Sequence, residues 1–234
     1  MNLKNRLDAV LLMAEGKGTL LDVGCDHAYL AIEAIKRKAA DKVIASDVNK
    51  GPLLKAEENV KRAGLSEKIE LRLGSGIEVI DEYEADTVVM AGMGGILISE
   101  ILEKNPSLSK TVKKYILQPM NSKEDLRRYL LISGYSIDYE TICKEKGKIY
   151  SIFSVTPKKA KPYEKEIFYH TGNLLNLKNT DKELVFEYLL KTENKFLKIK
   201  ENLALAKEKD ESQAEYVEKI LEEILWLKSE ISKN

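Results

Sequence analysis

The chain has 234 residues, with 38 basic and 38 acidic side chains and a formal net charge of zero, enough for one domain of about 155 residues plus an appendage and without a uniformly basic field. No apolar run approaches a membrane span, and Ala9 to Ala14 is too short for a signal-peptide core, so no membrane contact and a cytoplasmic location are expected. Cys25 and Cys143 are too few for a disulfide framework, and with the two histidines they show no metal-ligand spacing, so no metal is expected.

Arg6 lies in an amphipathic first helix. Thr19-Leu20-Leu21 is a short apolar strand that runs into Asp22-Val-Gly-Cys-Asp-His-Ala-Tyr-Leu30. That segment closes the strand with a carboxylate, turns through Gly24 and enters a helix read from Ala31 to Lys38. Ligands of open α/β sheets bind at such carboxyl ends of strands. Val43 to Asp47 is a second strand ending in an acid, placed where a carboxylate can take both hydroxyls of a ribose. Pro52 to Ala63 reads as a helix with Pro in its first turn and Gly64 past its end. Ile69 to Leu73 ends in Gly74-Ser75-Gly76, and Ala85 to Met90 ends in Ala91-Gly-Met-Gly-Gly95. A helix from Ile96 to Glu103, a strand from Tyr115 to Gln118 before Pro119-Met-Asn, and a helix from Leu126 to Ile132 follow.

This alternation predicts a doubly wound, Rossmann-like α/β sheet with its strand-end loops facing one crevice. Two further strands, near Tyr135 to Glu140 and Ile149 to Thr156, have no helix between them. They predict an antiparallel pair at the sheet edge, joined through Lys144 to Lys148.

The Pro- and Lys-rich stretch Pro157 to Pro162 marks a boundary, giving domains 1–157 and 158–234. Beyond it Leu184, Val185, Tyr188, Leu189, Phe196, Ile199 and Leu203 form an incomplete helical stripe. Val217, Ile220, Leu221, Ile224, Leu227 and Ile231 form a cleaner one. The expectation is a coiled-coil-like helical hairpin turning near Asp210 to Gln213, with one long helix as the alternative because no Gly or Pro interrupts. Trp226 is expected to pack, and His170 to lie in a loop without function. Lys158 to Lys200 is Lys-rich and Glu201 to Asn234 is net acidic. A basic face along a phosphate backbone and two charge-matched packed helices both account for that split.

The β1 loop is not a dinucleotide fingerprint, since Gly24 is followed by Asp26 and Ala28 where glycines are expected. Asp26 would repel a diphosphate and suit a cation; Cys25 reads as a small residue of the loop. The pattern D-x-G-x-x-x-A with a second-strand acid resembles the cofactor loop of S-adenosylmethionine-dependent methyltransferases, whose ligand carries an ammonium and a sulfonium.

Asp26-His-Ala-Tyr-Leu30, Lys50-Gly-Pro52, Gly92-Met-Gly-Gly95, Leu117-Gln-Pro119 and Gly147-Lys-Ile-Tyr150 together resemble the bacterial tRNA (adenine-22-N1)-methyltransferases, from about Asn2 to Thr156. The resemblance implies methyl transfer from S-adenosylmethionine to N1 of an adenosine in tRNA, adenosine 22 by the family's habit. A noncatalytic cofactor-binding module, or a methyltransferase with another substrate, is the alternative. On the cofactor side the resemblance implies Asp22 and Asp26 at the methionine amino end, and Gly24, Cys25 and His27 in the loop. It also implies Asp47 with Val48 at the ribose, Gly74, Ser75 and Gly76 around the adenine, and Ala91, Gly92 and Met93 under the methionine arm.

By resemblance and position, Tyr29 and Asn59 are expected to touch the target base, with His27 and Gln118 lining the same mouth and no general base. The rival expectations are that Tyr29 packs its helix, Asn59 is a satisfied helix residue, His27 shapes the loop and Gln118 ends its strand. Arg6 is placed to reach either a cofactor carboxylate or an RNA phosphate. Two positions depart from the family: Ser75 stands where an Asp or Asn is frequent, and Met120 where Asn is usual. The implied partner is tRNA, contacted by the tail, and the expected state is a monomer or weak homodimer.

Overall fold

In the computed structural model, which describes residues 5–177, 181–206 and 208–233, the short apolar strands form one seven-stranded sheet. The chain divides into two compact units, Met1–Lys161 and Pro162–Asn234.

The first unit runs α1 (Arg6–Ala14), β1 (Thr19–Val23), α2 (Tyr29–Lys36), β2 (Lys42–Asp47), α3 (Lys50–Arg62), β3 (Ile69–Leu73) and β4 (Thr87–Met93). It continues with α4 (Gly95–Lys104), α5 (Pro106–Thr111), β5 (Lys114–Pro119), α6 (Lys123–Ile132), β6 (Ser136–Glu145) and β7 (Lys148–Thr156). The sheet order is β3-β2-β1-β4-β5-β7-β6. The first five strands are parallel, while β7 is antiparallel to both β5 and β6.

The strands are almost continuously apolar because both sheet faces are covered. Successive side chains alternate between those faces. Leu20, Val43, Val89 and Ile116 join Ala9, Val10, Ala31, Ile35 and Val60 of α1 to α3 in one core. Leu21, Val23, Val88, Met90 and Leu117 join Ile98, Leu102, Leu108, Leu126 and Leu130 of α4 to α6 in the other. Burying each large aliphatic side chain contributes about 1.5–3 kcal/mol, so this double layer holds the strand ends in place.

Several boundaries differ from the sequence expectation for local reasons. Helix α2 starts at Tyr29, before Ala31, because Ala28 takes a left-handed cap conformation (φ 59°) without side-chain capping. Strand β4 starts at Thr87 and continues to Met93, keeping its pairing with β5 through a bulge between Ala91 and Met93. Helix α5 is additional; Asn105 caps it by accepting from the Leu108 N–H, and Pro106 occupies its first turn. Strands β6 and β7 are longer than read, and only Lys146 and Gly147, both at positive φ, turn between them. The antiparallel pair does extend the sheet beyond β5, with β7 inside and β6 as the edge.

The second unit contains α7 (Ile167–Thr171), a 3-10 turn (Leu174–Asn176), α8 (Lys182–Leu205) and α9 (Glu211–Lys233). The single-helix alternative is thereby removed. Ion pairs Lys200–Glu218 and Lys228–Glu193 connect α8 to α9 in antiparallel order. Val217, Ile220, Ile224, Leu227 and Ile231 supply the buried stripe of α9. His170 lies in α7, correcting the loop expectation: its ring is 4.9 Å from Phe196 and its Nε2 is 2.8 Å from the Tyr216 hydroxyl. Trp226 packs edge-on against Phe168. Among the described residues, no helix is long and apolar enough to cross a membrane.

Candidate cofactor and substrate site

The parallel arrangement brings the carboxyl ends of β1 to β5 to one edge of the sheet. At β1 the backbone turns sharply, with positive φ at Gly24, Asp26 and Ala28. Positive φ at a non-glycine residue is uncommon and costly. The loop is held by neighbouring backbone: the Cys25 N–H donates to the Ser46 carbonyl at 2.8 Å, and the Ala28 N–H to the Cys25 carbonyl at 2.8 Å.

Asp22, the penultimate residue of β1, is almost fully buried, and its Oδ2 has no hydrogen-bond partner. Burial pushes its carboxyl up to about 7 against the lowering effect of the Ala31 backbone N–H. An orphaned buried oxygen costs free energy until a donor reaches it. Cys25 is also buried, and burial followed by the charges of Asp22 and Asp47 pushes its thiol up to about 12. Burial and the neighbouring acids therefore favour the neutral thiol over the nucleophilic thiolate.

Asp47 ends β2, accepting from the Asn49 N–H at 2.8 Å and the Asp26 N–H at 3.4 Å. Its carboxylate thus bridges the β1 and β2 loops while the following Val48 is exposed. Gly74 after β3 donates its N–H to the Asp47 carbonyl at 3.0 Å. Ser75 is exposed beside it and Gly76 is buried against Ile101. Asp22, Asp26, Asp47 and the β3 loop are thus assembled on adjacent strand ends.

The four expected substrate residues separate into two kinds. Tyr29, the first residue of α2, is 61% exposed, so its ring is not spent on packing the helix. His27 is half-buried, its ring tilted 5.7 Å from that of Tyr29 and its Nε2 3.5 Å from the Asp26 carboxylate. Asn59 is engaged within the chain at both ends: Nδ2 donates to the His27 carbonyl at 3.1 Å, and Oδ1 accepts from Arg62 at 3.3 Å. Gln118 has no exposed surface and does not line a mouth. Its Oε1 accepts from Arg6 at 2.9 Å and from the Gly92 N–H at 3.0 Å, and its Nε2 donates to the Pro119 carbonyl at 3.1 Å. The expectation for Gln118 is corrected because its amide fixes the β4 loop and Arg6 from below.

Gly92 has φ 80°, and Met93 carries the loop on, its carbonyl accepting from the Met120 N–H at 2.8 Å. Sequence reading missed Met120 and Tyr150 as neighbours of Arg6: the Met120 sulfur is 3.7 Å from Nη1, and the guanidinium lies 5.5 Å from the Tyr150 ring centre. Their signals were the departure from the family at Met120 and, for Tyr150, membership of the Gly147-Lys-Ile-Tyr150 string. Among the described residues no three His, Cys, Asp or Glu side chains are grouped to hold a metal.

A ligand with an ammonium, a ribose and a sulfonium fits this edge. The ammonium answers the orphaned Asp22 oxygen, and the acids around Gly24 favour positive charge. These features belong to a Rossmann-like S-adenosylmethionine-dependent methyltransferase. Residues 20–225 match the TrmK family, tRNA (adenine(22)-N(1))-methyltransferase, and the chain belongs to that family.

The chain is 36% identical over 152 residues to the tRNA (adenine(22)-N(1))-methyltransferase of Bacillus subtilis strain 168. That segment covers 65% of this chain and 64% of the relative, so the match spans just under two thirds of the relative's length. The crystal structure of Streptococcus pneumoniae Sp1610 in complex with S-adenosyl-L-methionine superposes with a TM-score of 0.80 at 32% identity, covering 97% of this chain and 99% of that one. The B. subtilis M1A22 tRNA methyltransferase TrmK superposes with a TM-score of 0.80 at 28% identity, covering 98% and 100%.

Proposed function

We propose that the chain transfers a methyl group from S-adenosylmethionine to N1 of adenosine 22 in tRNA. The observation that carries this reading is an acid-rich strand-end loop with a partnerless buried carboxylate, Asp22, in a chain of the TrmK family. Bound S-adenosylmethionine supplies the methyl carbon, which forms a bond to N1 as its bond to sulfur breaks and the electron pair leaves with sulfur.

Adenine N1 is unprotonated near neutral pH, so its lone pair attacks without a general base. The chain's task is alignment, an effect worth up to several kcal/mol. N1 lies on the pairing edge, so the base must be unpaired or flipped to reach the crevice. The exposed Tyr29 ring is the stacking surface for that base, a contact worth about 1–3 kcal/mol, and His27 supports the ring. Asp22 and Asp26 attract the amino end of the cofactor, and Asp47, beside Val48, takes the ribose. Gly74, Ser75 and Gly76 frame the adenine, while Ala91, Gly92 and Met93 carry the methionine arm. Asn59 and Gln118 are positioning residues that hold the β1 and β4 loops through backbone groups.

The partner is tRNA, the setting is the cytoplasm, and the Lys-rich start of residues 158–234 contacts the RNA backbone. The expected state is a monomer or weak homodimer. Purified protein incubated with methyl-labelled S-adenosylmethionine and unmodified bacterial tRNA will yield 1-methyladenosine on nucleoside digestion. A transcript with adenosine 22 replaced will yield none. Labelling of any other nucleoside, or of the replaced transcript at an equal rate, refutes the assignment.

A further inference from the structure

The carboxyl edge of the sheet is electrically lopsided. Asp22, Asp26 and Asp47 stand at or just after the ends of β1 and β2, whereas the hairpin between β6 and β7 reads Lys144-Glu-Lys-Gly-Lys148, three lysines against one glutamate. All three lysines are exposed. Strand register carries them past the sheet. Strand β7 pairs with β5 through Leu117 and Phe153, and the same antiparallel count sets Tyr150 level with Met120, one residue beyond the end of β5. The ladder between β6 and β7 continues past that level to Glu145 and Lys148. At about 3.4 Å per residue, Lys148 stands about 7 Å and the turn about 10 Å above the level of Tyr150.

We infer that this projecting ribbon is a phosphate grip for the RNA substrate, holding the backbone beside the nucleotide that is methylated. The inference rests on the tRNA reading above and assigns part of the RNA contact to the first unit, apart from the tail.

Successive side chains leave a strand on opposite faces. Lys148 shares a face with Tyr150 and Ile152, which pack with the core beneath α1. Lys144 shares the other face with Glu140, the partner of Arg127 in α6. Lys146 takes the turn with Gly147, both at positive φ, which keeps the tip two residues wide. The ribbon thus presents ammonium groups on both faces and at its tip. At its root the Lys123 Nζ donates to the Ser151 Oγ at 3.2 Å, and the Arg6 guanidinium lies 5.5 Å from the Tyr150 ring centre. Point charges on flexible stems, carried by a paired backbone, suit phosphates that must be held without reading sequence. The acids of β1 and β2 repel the same polyanion, so the edge is divided between a cationic cofactor on one side and an RNA backbone on the other.

The test removes all three charges from the full chain. In the variant Lys144→Gln, Lys146→Gln, Lys148→Gln, the KM for tRNA should rise about tenfold, and the slope of log binding constant against log salt should become shallower by about 2, the scale of three lost phosphate contacts. S-adenosylhomocysteine affinity should stay at the wild-type value. Glu145 lies directly opposite Lys148, so Glu145→Lys should act in the other direction, tightening tRNA severalfold and steepening the slope. A damaged fold does not produce that gain.

Unchanged KM and salt slope in the triple variant, with wild type methylating tRNA, would overturn the inference and leave the RNA backbone to the tail. A parallel loss of tRNA and S-adenosylhomocysteine affinity would also overturn it, making the hairpin a support of the sheet edge. Wild-type protein that methylates no tRNA removes the reading beneath the inference, and the inference with it.

Discussion

Two buried carboxylates in the first unit meet opposite treatment. Glu140 on β6 is 8% exposed and receives the Arg127 guanidinium of α6 through Nε at 3.0 Å and Nη2 at 2.8 Å. Arg127 is itself fully buried and stacked 4.5 Å over the Phe153 ring. Asp22 is buried as deeply, yet one of its oxygens has no partner and its carboxyl is pushed up to about 7. Both groups have left water, but only one finds its counter-charge within the chain. The carboxylate at the β6 edge is answered within the chain, whereas the one at β1 keeps an oxygen without a hydrogen-bond partner.

The largest expected effect comes from breaking the completed pair. Glu140→Ala removes the carboxylate facing a fully buried guanidinium and should lower unfolding free energy by about 3–5 kcal/mol, read by urea denaturation. Its purine-nucleoside affinity should stay at the wild-type value. Asp22→Asn should do the reverse, raising the dissociation constant for S-adenosylhomocysteine about tenfold or more while leaving stability equal or higher. A stability loss as large as that of Glu140→Ala would erase the contrast.

The pH dependence sharpens it further. Asp22 titrates near 3.8 in its ordinary state and at about 7 in the fold, so between those values the folded chain holds the proton more tightly than the unfolded one. Its contribution to stability therefore falls as pH rises through that window and levels off above about 7. Denaturation curves of wild type and Asp22→Asn should separate progressively from about pH 4 to 7, the wild type becoming relatively weaker. Parallel curves would show that the carboxyl is not buried in the free protein.

Tyr29→Ala should lower kcat/KM for tRNA by about tenfold through lost stacking, with S-adenosylhomocysteine binding unaltered. The smallest effect belongs to Asn59→Ala, which removes one hydrogen bond under the His27 carbonyl. A few-fold weakening of nucleoside binding is expected; loss of turnover with intact binding would instead return Asn59 to the target base.

Much of this architecture was legible because it rests on local signals. Asp22, Gly24 and Asp47 announced strand ends, and the alternation of β and α segments fixed the parallel sheet. Helix α5 escaped because six residues give too little periodicity, although Asn105-Pro106 was a usable start signal. The role of Gln118 was hidden for a different reason. Its partners Gly92 and Arg6 lie 26 and 112 residues away, and no pattern along the chain indicates whether an amide faces solvent or supports a backbone. The same holds for Asn59, whose tie to His27 crosses 32 residues. The negative character of the β1 loop could be read from residue types, but the orphaned oxygen of Asp22 required packing from both sides of the sheet.

At the start of α4, the Gly95 N–H donates to the Asn121 carbonyl at 3.2 Å, and a Cβ there would come within 2.3 Å of the Ser122 carbonyl oxygen. The backbones after β4 and β5 are therefore in contact without any side chain to act as a cushion. Only a residue without a side chain fits at position 95, so the start of α4 and the turn after β5 share one close-packed backbone seam.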